Sequence, residues 1–149
     1  MKPLFVLIGA FVLCSFVLKI FTKTIDYRLS ARIAMSSMLL FTAIGHFAFL
    51  EGMSAMVPSF IPFKKEVVLV TGIMEILFAI ALWFPQYRKT TGWLLILFLI
   101  LILPANINAA INEINYQTGQ LNGPGINYLW FRIPLQAFFA IWVYIASIR

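Results

Sequence analysis

Cysteine occurs once, histidine once and acidic side chains five times in 149 residues. The lone Cys14 leaves no partner for an intrachain disulfide, a Cys-x-x-Cys redox pair or a four-thiolate iron–sulfur site. The lone His46 excludes a bis-histidine haem held between facing helices of one chain. One histidine, with no second carboxylate inside an apolar run, also leaves a metal centre short of ligands. Charge of either sign is scarce, 11% of residues, against about 25% in a soluble domain. Internal repeats, low-complexity tracts and a second-domain signal are missing, and no small-x-small cleavage site follows the first apolar run.

What is present is hydrocarbon. Hydrophobic residues make up 62% of the chain and the mean hydropathy is +0.97, so the chain reads as an all-α integral membrane protein. Five stretches approach the roughly 20 apolar residues that a helix needs to cross a bilayer: 3–18, 33–50, 67–84, 93–111 and 128–148. The first, preceded by Lys2, is read as a retained helix. The net charge of +6 is distributed in short clusters at the ends of these runs, which orients a membrane protein and forms no nucleic-acid stripe. Lys19, Lys23, Arg28, Arg32, Arg88, Lys89 and Arg149 fall on one side and Lys2, Lys64 and Lys65 on the other, predicting the N-terminus outside and the C-terminus inside. Aromatic residues such as Trp83, Trp93 and Tyr144 at one boundary and Tyr128 and Trp130 at the other fit interfacial belts.

The segment 51–65 is apolar but short and broken by Pro58 and Pro62, which predicts a lid or re-entrant turn on the outer surface. The polar loop 112–127 carries Gly-Pro-Gly at 123–125 and reads as an external turn, with Asn127 placed to cap the last helix.

Ionisable groups in hydrocarbon are functional-site hypotheses by default. At a rise of about 1.5 Å per residue, His46, Glu75, Asn106, Arg132 and Gln136 all fall in the outer half of the membrane, on four different helices. Thr42 lies one turn from His46 and Thr71 one turn from Glu75, which fixes a polar face on each helix. Such faces are expected to turn toward one another, because lipid cannot solvate them. Glu75 with Arg132 is the expected charge pair, since Arg stays ionised and is long. Pro104 is expected to open its helix and free a backbone carbonyl into the same space. The predicted cavity opens outward beneath Pro58 and Pro62. Two readings of the pair stand side by side: an ion pair that fixes helix register, or a recognition or proton-handling pair in a pocket. His46 is read either as a packing histidine or as a proton donor or acceptor. Asn106 and Gln136 are read either as glue between helices or as ligand contacts.

From Ala31 onward, five motifs occur in order: Gly45, His46 and Phe47; the proline-bearing stretch 57–62; Thr71, Gly72, Ile73, Met74 and Glu75; Pro104, Ala105, Asn106 and Ile107; and 129–136, which carries Arg132, Pro134 and Gln136. Together they resemble the DoxX-like family of small membrane proteins. The resemblance implies a four-helix transmembrane bundle over 31–149, preceded over 1–30 by an extra transmembrane helix and a cytoplasmic loop. It also carries over His46, Glu75, Asn106, Arg132 and Gln136 as the family's polar positions. Some members resemble subunits of thiosulfate:quinone oxidoreductase, and others the membrane chaperone that assists nicotinic acetylcholine receptor assembly.

The expected function is a membrane binding or assembly protein. Its outward polar pocket takes an amphiphile (a lipid, quinone or sterol-like molecule) or a partner's transmembrane segment. The alternative is a membrane subunit of a quinone-linked oxidoreductase, in which His46 or Glu75 supplies protons and a partner subunit supplies electrons. Acid-catalysed isomerisation of a sterol-like substrate by Glu75 or His46 ranks lower. Transport ranks lowest, because the inner half lacks polar residues to continue a path. No cofactor or metal is expected, and membrane lipids are the expected surroundings, in a bacterial inner membrane.

Overall fold

The computed structural model describes residues 2–149, apart from the side chain of Thr22; Met1, the start of the expected first segment, lies outside the described residues. Every regular element among them is helical. α1 spans Lys2–Thr22, α2 Tyr27–Ala48, α3 Leu50–Met56, α4 Lys64–Ala81, α5 Arg88–Ile111 and α6 Leu129–Val143. A 3₁₀ turn, Ile126–Tyr128, leads into α6, and a π turn, Tyr144–Ile148, continues it.

Four segments are long and apolar enough to cross a membrane: Lys2–Phe21, Tyr27–Ala48, Arg88–Ile111 and Ile126–Ile148. The fifth expected span became α4, whose 18 residues rise about 27 Å. Lys64, Lys65, Glu66 and Glu75 keep it outside that apolar set.

Two helices begin five or six residues before their apolar runs. Asp26 accepts from the backbone N–H of Leu29 at 2.9 Å, so the N-cap starts α2 at Tyr27 and draws Arg28 and Arg32 into its first two turns. Arg32 is only 9% exposed, and its Nε and Nη1 are buried without hydrogen-bond partners. α5 begins at Arg88, five residues before its predicted start. At the other end, Asn127 lies within the 3₁₀ turn and makes no capping bond, because the chain enters α6 through that turn rather than through an extended N-cap residue.

α2 is the hub. α1 packs along it and leaves Phe5, Phe16 and Phe21 exposed. Leu7 is fully buried, in a core with Met35, Leu39, Leu82, Leu95 and Val143. Phe11 meets Trp142 edge to face at 5.2 Å, so α1 also leans on α6. Ser36 donates to the Ala79 carbonyl at 2.7 Å and accepts from Trp83 Nε1 at 2.8 Å, fastening α2 to α4. Trp142 Nε1 donates to the Ala31 carbonyl at 3.0 Å, fastening α6 to α2. Each such bond contributes about 1 kcal/mol net.

The predicted outer segment is partly helical. α3 is tied to the loop after α5: Phe49 and Tyr116 stack edge to face at 5.8 Å, and Asn108 donates to the Met56 carbonyl at 2.9 Å. A Cβ on Gly52 would sit 2.1 Å from the Tyr116 carbonyl oxygen, so only glycine permits this approach. Lys65 and Glu51 pair at 2.5 Å with both side chains exposed, a contact of small energetic weight.

Candidate functional site

Gly72 sets the site's geometry. A Cβ there would lie 2.8 Å from His46 Cβ, so α4 and α2 meet at closest range at this level. Glu75, one turn further along α4, is thereby brought to His46. Its Oε2 lies 3.3 Å from His46 Nδ1, with side-chain exposures of 6% for Glu75 and 16% for His46. The same Nδ1 is 3.1 Å from the Thr42 carbonyl oxygen. Glu75 Oε2 has no partner in hydrogen-bond geometry, so the contact with His46 is one of proximity and charge rather than a directed bond. Among the described residues no group of three His, Cys, Asp or Glu side chains is placed to hold a metal ion.

Beside this pair lies a small chamber of about 50 Å³. Glu75, Thr42, Arg132 and Gln136 supply its polar wall. Met38, Leu39, Leu135 and Phe139, all buried, supply an apolar floor. Gln136 is oriented by α5: its Nε2 donates to the Leu99 carbonyl, leaving Oε1 buried without a partner. Leu99 lies in the turn preceding Pro104, which has no N–H to return to Ile100 and whose ring displaces that turn. The carbonyl that Pro104 leaves without its usual donor is that of Ile100, whereas Gln136 takes the adjacent one, of Leu99.

Several expectations are corrected. Glu75 and Arg132 share the chamber but form no ion pair; the ion pairs among the described residues are His46–Glu75 and Lys65–Glu51. The Gly72 contact holds Glu75 on the α2 side, toward His46, while Arg132 lines the chamber from α6. Asn106 stays on its own helix, donating to the Ile102 carbonyl at 3.2 Å, and does not line the chamber. Thr71 likewise donates to the Val68 carbonyl of α4 at 2.9 Å. Pro58 and Pro62 do not line the chamber either. Pro3, from the start of α1, lines it instead, because α1 packs along α2 while α3 is held to α5 and the loop after it. Nothing in the sequence pointed to Pro3, since its contact depends on how α1 docks.

Comparison with known proteins returns no match among curated proteins and none among solved structures. Residues 35–147, from the third turn of α2 to the end of the bundle and without α1, match a family model described as a domain of unknown function, DUF8561. The chain therefore belongs to the DUF8561 family.

Proposed function

We propose that this protein is a membrane-embedded binding protein whose helical bundle holds the head of an amphiphilic ligand. The observation that carries this reading is unused hydrogen-bonding capacity in one enclosed place. Glu75 Oε2, whose contact with His46 is one of charge, and Gln136 Oε1 are buried without a hydrogen-bond partner, and the Arg132 guanidinium, which makes no hydrogen bond or ion pair with the described residues, lines the same space. Buried polar groups are paired as a rule, and an unpaired one costs about 1–3 kcal/mol. A partner from outside the chain removes that cost.

Size limits the reading. Pockets for whole small molecules run to about 300–1,000 Å³, whereas one water needs about 10–15 Å³. A chamber of about 50 Å³ takes a head group of a few atoms, with the hydrocarbon body leaving between helices toward the lipid. The DoxX-like resemblance supports the same positions, His46, Glu75, Arg132 and Gln136. In this reading α4 is a fifth crossing helix with its charged first turn at the surface. The N-terminus is outside, and the chain lies in a bacterial plasma membrane.

Native mass spectrometry of the purified protein tests the reading. Glu75→Gln and Arg132→Ala are each expected to lower retention of a copurifying or added lipid about tenfold, the equivalent of one lost hydrogen bond to a charged group. Retention unchanged in both, with the fold intact by circular dichroism, refutes it.

A further inference from the structure

The free atoms around the chamber select among head groups. Thr42 Oγ1 has given its proton to the Leu39 carbonyl at 3.0 Å, and Gln136 Nε2 has given one of its two protons to Leu99. What remains is two buried acceptors without a hydrogen-bond partner, Glu75 Oε2 and Gln136 Oε1, and two donors, the Arg132 cation and the second N–H of Gln136. A carboxylate head accepts only: it would satisfy Arg132, place a second anion beside Glu75 and leave both acceptors empty. An ammonium head donates only: it would serve the acceptors while lying against the Arg132 cation. A hydroxyl donates one proton and accepts through two lone pairs, so it serves a buried acceptor and the guanidinium together, and a neighbouring hydroxyl serves the second acceptor. A CH₂OH or glycol head also fits about 50 Å³.

We infer that the bound amphiphile is headed by a hydroxyl, a long-chain alcohol or glycol rather than a fatty acid or amine. This rests on the binding reading above and adds a ligand class to it. The apolar floor of Met38, Leu39 and Phe139 receives the first methylene groups.

Three probes of one chain length separate the outcomes: oleyl alcohol, oleate and oleylamine, added in equal amounts to the full chain in nanodiscs at a pH where the acid is ionised and the amine protonated. Adducts are counted by native mass spectrometry. The alcohol is expected to be retained about tenfold over either competitor, a preference equivalent to about 1.4 kcal/mol. Gln136→Leu, which removes Oε1, is expected to erase most of that preference. Arg132→Gln, which keeps a donor but removes the cation, is expected to raise amine retention relative to the original chain. Preferential retention of oleate or oleylamine, lost in Glu75→Gln, overturns the hydroxyl class while leaving the binding site standing. Adducts absent for all three, or equal for all three and unchanged in Glu75→Gln, overturn both, and the chamber is then a water site within a structural bundle.

Discussion

Gly72→Ala is the smallest change that reaches the centre of this structure. The added methyl would lie 2.8 Å from His46 Cβ, 3.4 Å from its Cγ and 3.5 Å from Phe47 Cε2, against an ordinary carbon–carbon contact of about 3.5–4.0 Å. His46 Cβ is fixed to the backbone and cannot swing aside. α2 and α4 must therefore part by roughly 1 Å, which takes the 3.3 Å contact of His46 with Glu75 beyond ion-pair range. Overpacking costs about 1–3 kcal/mol, while replacing glycine by alanine inside a helix gains about 1 kcal/mol. The net expectation is destabilisation of about 1 kcal/mol. Gly9 in α1 is the internal control, because its Cβ would meet nothing within 4 Å; Gly9→Ala should stabilise by about 1 kcal/mol. Steric trapping in bicelles measures both. A double-mutant cycle between His46→Ala and Glu75→Gln, run with and without Gly72→Ala, reads the contact itself and should show its coupling reduced in the alanine background. If Gly72→Ala stabilises as much as Gly9→Ala and the coupling survives, the two helices do not meet at Gly72 and the site is not built this way.

Two further substitutions separate the chamber from its surroundings. Gly52→Ala drives a methyl into the Tyr116 backbone; it should cost about 1–3 kcal/mol and expose 115–120 to limited proteolysis, with ligand retention little changed. Asn106→Ala removes only a bond to its own helix; retention should stay within about twofold of the original chain, and a loss as large as that of Glu75→Gln would return Asn106 to the site.

Composition and run length were enough to place the four helices long and apolar enough to cross a membrane, because hydrocarbon demands long uninterrupted apolar runs, and they did not separate these from α4 with its charged first turn. They located ends less well, since a cap such as Asp26 and the amphipathic reach of Arg28 and Arg32 extend a helix past its apolar run. Glu75, His46, Arg132 and Gln136 were legible as a set because lipid cannot solvate them. The pairing within the set was not, since it depends on which helices approach closely. Gly72, quoted only as part of a motif, carries that information through the side chain it lacks. Depth counting grouped Asn106 with the set, but its own helix satisfies it internally. The role of Pro3 depends on the docking of α1, which no periodicity records.

Glu75 Oε2, Gln136 Oε1 and Arg132 line one shared space, and the proposed function has them draw a hydrogen-bond partner from outside the chain. A structure determined in lipid nanodiscs, at a resolution that shows bound head groups, tests it most directly. Density is expected within hydrogen-bond distance of Glu75 and Gln136, continuing as a hydrocarbon tail between helices. Arg132 folded across to Glu75 with the space closed, or Glu75 turned outward to the acyl chains, would contradict it.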